Sequence, residues 1–253
     1  MIYDLQKASM WKRISAFLFD GILLSIIAVL FAFVFSSLFG YDNYLAQVND
    51  AYEKYGEQYA VDLRMSFSEY EALDDAARKN ADAALAALNA DENAIKAQGM
   101  VQHLTLLIAS FGLLFGFLIL EFLVPMLFKN GQTLGKKIFG IAVMHTSGVK
   151  ISGPMLFART VLGKFAVETM IAIYILLMMF LGVIGIEGPI VLLLLLILQA
   201  GVMIGTHTNS TIHDLLAKTV TVDFASQMIF DSPEALLAYK EKQHAEKVAK
   251  ETY

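Results

Sequence analysis

The sequence predicts an all-α membrane protein: a four-transmembrane-helix bundle with an extracellular helical hairpin and a small cytoplasmic β element. Three observations carry that reading. First, 57% of the 253 residues are hydrophobic and 17% are charged, with a mean hydropathy of +0.58, on the membrane side of globular averages. Second, the apolar residues fall in four long blocks. Third, the charges flanking those blocks differ in sign from one connection to the next.

The blocks are residues 14–39, 103–128, 165–184 and 189–206. The first three hold one charge each, Asp20, Glu121 and Glu168, and the fourth holds none. About 20 mostly apolar residues cross the roughly 30 Å of bilayer hydrocarbon, so the blocks qualify or come close. The first is too long for a signal-peptide core and no A-x-A-like site follows it, so it reads as a retained span. The absence of cysteine excludes disulfides, thiolate metal sites and cysteine catalysis.

Orientation follows from the basic residues. Lys7, Lys12 and Arg13 precede the first span. Residues 129–164 carry Lys129, Lys136, Lys137, Lys150, Arg159 and Lys164 with no acid, whereas residues 40–102 carry 12 acidic residues against 5 basic ones. Both termini are therefore expected in the cytoplasm and the acidic segment outside, in a bacterial plasma membrane. The expected organisation is 1–39, N-terminus and first span; 40–102, extracellular insertion; 103–128, second span; 129–160, basic loop; 161–206, third and fourth spans; and 207–253, C-terminal strand and helix.

The insertion has helical rather than disordered character. Tyr41, Tyr44, Val48, Tyr52, Tyr55 and Tyr59 recur at helical spacing, which fits packing between two helices better than a ligand surface. Ser66/Glu69 and Ser68/Glu71 form two overlapping capping boxes, and an Ala-rich run over 72–97 leads to the second span. In the basic loop, residues 133–139 suit an interfacial amphipathic helix. Residues 140–146 read as a strand, 147–148 as a turn and 149–151 as its return. A further strand pattern covers 218–222. A lone hairpin is marginal, so these pieces are expected to share one sheet. Ser232-Pro233-Glu234 starts a charged helix running to about Lys250.

Charges inside spans are costly and mark partners or function. Asp20, Glu121, Glu168 and Gln199 each lie roughly 10 Å inside the inner boundary at 1.5 Å per residue, one on each helix. Arg13 lies on the Asp20 face, Arg159 and Lys164 flank Glu168, and Lys164 is its i−4 neighbour. Asp214 at the membrane exit is expected to pair with Arg13, with Asp20 joining them. The layer admits two readings. One is structural, with ion pairs and hydrogen bonds tying four helices together. The other is a Na⁺ or proton site, because three carboxylates at one depth cannot all ionise unless counter-charges reach them.

The segment Trp11-Lys12-Arg13-Ile14-Ser15-Ala16-Phe17-Leu18-Phe19-Asp20 resembles the start of RDD-family membrane proteins. Asn130-Gly131-Gln132-Thr133-Leu134-Gly135-Lys136-Lys137-Ile138-Phe139-Gly140-Ile141 and Ile212-His213-Asp214-Leu215-Leu216-Ala217-Lys218-Thr219-Val220 are similar to two further family motifs. The family is named for one arginine and two aspartates, and the resemblance implies Arg13, Asp20 and Asp214 here. Glu121 also falls where the family often has an acid. The closing motif departs at Leu216 and Lys218, where basic and glycine residues are common, and the insertion at 40–102 is longer than usual. The resemblance implies transport, including Na⁺/H⁺ antiport proposed for some members.

The expected function is therefore small-cation transport, with exchange for H⁺, through a membrane-embedded carboxylate layer. The alternative is a non-transporting scaffold or accessory subunit that binds other membrane proteins. Four helices are few for a solute path, so a transporter is expected to be a homo-oligomer in the lipid bilayer. No enzyme signature is present: the Gly-rich run 131–140 lacks P-loop spacing, and no Ser/His/Asp set or zincin motif occurs. His207 and His213 are badly spaced for one metal face. No cofactor and no nucleic-acid partner are expected.

Overall fold

The structure is a computed structural model that describes residues 5–128 and 130–251. Lys129 lies outside the described residues. In chain order the helices are α1 (Met10–Phe39), α2 (Tyr41–Tyr59), α3 (Phe67–Glu71), α4 (Asp75–Ala90), α5 (Glu92–Phe128), α6 (Leu134–Ile138), α7 (Gly153–Phe180), α8 (Glu187–Gly205), α9 (Ile212–Leu216) and α10 (Pro233–Glu251). The strands are β1 (Ile141–His145) and β2 (Thr219–Asp223). The fold is mostly helical, and α1, α5, α7 and α8 are each long and apolar enough to cross a membrane.

The spans start or stop away from the ends of the apolar blocks. α7 begins at Gly153, with Pro154 in its first turn, so residues 153–160 belong to the helix and not to the preceding loop. The apolar block marks only lipid-compatible residues, whereas the helix also runs through a polar stretch whose side chains are buried by protein. α7 stops at Phe180 because Gly182 takes a positive φ of 69° and its N–H caps the carbonyl of Met179.

Contacts divide the chain into two units, Leu30–Phe111 and the remainder. In the first of these, α2 packs on α4 around Ala51, Leu88 and Ala94, with Tyr52, Tyr55 and Leu63 against them. Two members of the tyrosine stripe thus serve packing. Tyr55 also donates its hydroxyl proton to Asp91 Oδ2 at 3.0 Å. Asp91 Oδ1 in turn accepts the N–H groups of Asn93 and Ala94 at 2.9 and 3.2 Å. That cap divides the Ala-rich run into α4 and α5 instead of one helix. Of the two capping boxes, Ser66/Glu69 forms. Ser68 lies inside α3, so it caps nothing.

In the other unit β1 and β2 form an antiparallel pair, with Ile141 opposite Asp223 and His145 opposite Thr219. Ala142, Met144, Val220 and Val222 are fully buried there, with Leu5 and Ile229 against them. The expected hairpin return at 149–151 contributes only isolated bridges, Met144 to Lys150 and Val149 to Phe230. β1 finds its partner more than 70 residues downstream because β2 supplies an unbroken run of apolar and threonine side chains. The segment 133–139, expected as an interfacial amphipathic helix, forms a short helix over Leu134–Ile138 whose first turn packs against α1.

Candidate functional site

The polar side chains singled out within or beside the spans, Arg13, Asp20, Glu121, Glu168, Gln199 and Asp214, fall in the second unit described, and most of them join one buried network. Its hub is Asp214, on the first turn of α9 and fully buried. Thr211 caps that helix, and its hydroxyl donates to Asp214 Oδ2 at 3.0 Å. Arg159 of α7 donates from Nε and Nη2 to Asp214 Oδ1 at 3.1 and 2.9 Å, and Thr219 adds a third donor at 3.0 Å. Arg13 of α1 reaches Asp214 Oδ2 at 3.3 Å and donates to the carbonyl of Asn209 at 2.5 Å. Burial pushes the Asp214 carboxyl up, but the guanidinium of Arg159 and then that of Arg13 outweigh it and hold it well below the usual carboxylate range.

Next to Asp214, His213 bridges two charges. Arg159 Nη2 lies 3.1 Å from His213 Nε2, and His213 Nδ1 lies 2.7 Å from Glu168 Oε2. Burial, then the Arg159 charge, lowers the His213 pKa. The ring is therefore neutral at pH 7, accepting at Nε2 and donating at Nδ1. Glu168 Oε1 also accepts the His213 backbone N–H at 2.8 Å, and Gln199 of α8 hydrogen-bonds the same carboxylate. The other amide atom, Gln199 Oε1, is buried without a partner among the described residues.

These contacts need an unusual helix. Residues 158–170 of α7 form a π-helix. An α-helix would turn about 180° between Arg159 and Glu168 and place them on opposite faces. The wider π-helix, with about 4.4 residues per turn, brings them within about 20° of each other and Lys164 within about 50°. Thr169 marks the same geometry by donating to the carbonyl of Lys164, five residues back, at 2.8 Å. Gly163 lets α9 approach, since a Cβ there would lie 2.7 Å from the Cβ of His213 and 2.8 Å from its Cα.

Glu121 has a separate set of partners. It lies in a π-helical stretch of α5, residues 118–123, and is 3% exposed. Lys164 donates to its Oε1, and Lys136 Nζ faces its Oε2 at 3.7 Å, beyond hydrogen-bond length. Oε2 has no hydrogen-bond partner among the described residues. Thr160 ties α7 to α5 at this level by donating to the Glu121 carbonyl at 2.9 Å. Burial pulls the Lys136 pKa down to about 8, assisted by Arg159 and Lys164, while Glu121 and Asp20 act in the other direction.

Asp20 does not join Arg13. Its carboxylate accepts the hydroxyl of Thr133 and, at 2.7 Å, the N–H of Gly135, both at the start of α6. The two residues share a face of α1, but Arg13 reaches the connection between α8 and α9 while Asp20 lies against α6. The pairing of Lys164 with Glu168 is likewise absent: Lys164 turns to Glu121 and Glu168 to His213. The cations pair with Asp214 and Glu121, whereas Asp20 and Glu168 are held by neutral donors, yet the charges balance in number. Four acids, Asp20, Glu121, Glu168 and Asp214, stand against four cations, Arg13, Lys136, Arg159 and Lys164. Formal charges in the cluster therefore cancel without a bound ion. Among the described residues no group of three His, Asp or Glu side chains is placed to hold a metal ion.

The sequence profile of the RDD family matches residues 7–218, from just before Arg13 to just past Asp214. The chain belongs to the RDD family. Searches of curated proteins and of solved structures give no match. The RDD match covers every residue of the network but Thr219, and it spans the 40–102 segment as well. Sequence reasoning missed the double role of Arg159, which it counted as a loop charge, and the approach of Lys136 to Glu121. It also missed His213 as a link and Thr133 and Gly135 as partners of Asp20. The motif around Thr133 and Gly135 was visible, but nothing in its spacing pointed to a residue 113 positions upstream.

Proposed function

We propose that this RDD-family membrane protein is a non-enzymatic transporter that exchanges a small cation such as Na⁺ for H⁺ at Glu121, working as a homo-oligomer. The observation that carries this reading is the Glu121 Oε2 atom, buried and without a hydrogen bond, facing a lysine whose pKa lies near 8. While Lys136 is protonated, two ammonium groups attend one carboxylate. Loss of one proton from Lys136 removes one positive charge, and entry of one Na⁺ restores it. Proton release and cation uptake are thereby coupled one to one, with no net change in the charge of the site.

Lys136 also sets a sign for pH dependence. Its folded pKa, about 8, lies below its ordinary value of 10.5. The unfolded chain therefore binds more protons between those values, and stability from this group rises with pH across that window. Na⁺ should raise the melting temperature in detergent more at pH 9 than at pH 7, because it binds the deprotonated native site. Lys136→Met should abolish that difference. Proteoliposomes loaded with a pH-sensitive dye should show Na⁺-driven proton efflux. Melting that ignores cations at both pH values, with flux no greater than in empty liposomes, would replace this reading with the second one. In the second reading the protein is a membrane scaffold or accessory subunit, which the four-against-four charge balance favours because the formal charges cancel without an ion.

The accompanying topology places both termini in the cytoplasm of a bacterial plasma membrane and the acidic segment outside. It rests on the basic residues between positions 129 and 164. The absence of native cysteine makes single-cysteine labelling clean. In intact cells Ala83→Cys should react with an impermeant maleimide, and Ser147→Cys only after permeabilisation. The opposite pattern inverts the topology.

A further inference from the structure

We infer that Asp20, Thr133 and Gly135 form a latch that positions Lys136, seating the first turn of α6 on α1 so that Lys136 meets Glu121. The contacts form one chain. The Thr133 hydroxyl donates to Asp20 Oδ2 and accepts the backbone N–H of Lys136 at 3.3 Å, so a single oxygen links the α1 carboxylate to Lys136 itself. One residue earlier, the N–H of Gly135 donates to Asp20 Oδ1 at 2.7 Å. Asp20 is 5% exposed and Thr133 1%, so water does not compete for these bonds. The fit leaves no room for a side chain at residue 135. A Cβ there would lie 2.5 Å from the carbonyl oxygen of Ala16 and 2.9 Å from the Asp20 carboxylate.

Both carboxylate oxygens of Asp20 are thus taken by donors from α6. Asp20 is a positioning residue, acting on the Glu121 site through the placement of Lys136. The groups facing Lys136 are Glu121 on α5, Arg159 and Lys164 on α7, and Asp20 on α1. If α6 leaves its seat, Lys136 loses all of them together, and its proton affinity returns towards that of an ordinary lysine. The effect on exchange rests on the proposed function. The latch itself does not.

The test combines amide hydrogen exchange with the pH profile of Na⁺ stabilisation, using the full-length protein in detergent. In Asp20→Asn and Thr133→Val, exchange over residues 130–139 should quicken about tenfold or more while the sheet peptides 141–145 and 219–223 keep their rates. Thr133→Ser retains the hydroxyl and should match the wild type. The midpoint of the Na⁺ effect, near pH 8 in the wild type, should move up in Asp20→Asn and Thr133→Val and stay in Thr133→Ser. If Asp20→Asn loosens the whole protein, Thr133→Val decides. Wild-type exchange over 130–139 in Thr133→Val, or equally fast exchange in Thr133→Ser and Thr133→Val, overturns the latch. Exchange as expected with no Na⁺ effect in the wild type upholds the latch and removes the cation-exchange reading instead.

Discussion

Arg159→Ala is expected to destabilise the protein by about 3–5 kcal/mol, because it leaves Asp214 charged and fully buried, with the longer contact to Arg13 as its remaining counter-charge beside the Thr211 and Thr219 hydroxyls. Arg159 supplies two N–H donors to one carboxylate oxygen and a third contact to His213. Its loss also frees the α7–α9 junction that Gly163 brings into close contact. The readouts are folded yield in detergent and melting temperature. Arg159→Lys should recover only part of the loss, since an ammonium cannot reproduce the planar fork. Asp214→Ala should cost a similar amount by stranding two arginines. In a double-mutant cycle the pair should show coupling well beyond the few tenths of a kcal/mol seen at independent sites. Additive effects would mean that the contact contributes nothing to the fold.

The second large effect concerns Glu121. Glu121→Gln removes the one acid that Lys164 and Lys136 share and leaves two ammonium groups, each only partly exposed, facing a neutral amide. The expected loss is again about 3–5 kcal/mol. Removing the charges together gives a different outcome. A buried ion pair replaced by apolar groups of similar volume is often neutral or stabilising, so Glu121→Leu with Lys164→Met should melt close to the wild type. That double variant should nevertheless lose any Na⁺ response. Recovery of stability without the Na⁺ response would separate the chemistry of Glu121 from its contribution to the fold. A double variant as unstable as Glu121→Gln would show that Lys136 alone cannot remain buried there.

Such effects were partly legible in the sequence. A single charge in an otherwise apolar block is conspicuous because its transfer into hydrocarbon is so costly, and Asp20, Glu121 and Glu168 could be singled out on that ground alone. The pairing of Arg13 with Asp214 was also within reach, because both flank spans at one end of the bundle. The remaining partners were not. Helical spacing assumed 3.6 residues per turn, which makes Lys164 a neighbour of Glu168. In the π-helix over residues 158–170 Lys164 stays on the Glu168 side, yet it pairs across helices with Glu121, which spacing within one helix cannot reveal. Arg159 read as a loop residue because the apolar block began at Phe165, although α7 begins at Gly153.

By itself the sequence determined that this is a membrane protein of the RDD family with four apolar helices, and which few polar side chains are out of place among them. Those properties follow from local composition: the length of an apolar run and the identity of a residue are written at one place in the chain. Only the tertiary structure decided who pairs with whom. Asp20 meets Thr133 and Gly135, Glu121 meets Lys164 and Lys136, and Glu168 meets His213, each well beyond one or two turns of the same helix. The physical reason is that a buried charge accepts any well-placed donor of opposite polarity. Which donor is well placed depends on helix phase and on how closely backbones approach. Gly135 permits that approach against α1 and Gly163 against α9, and neither glycine announces its neighbour in sequence.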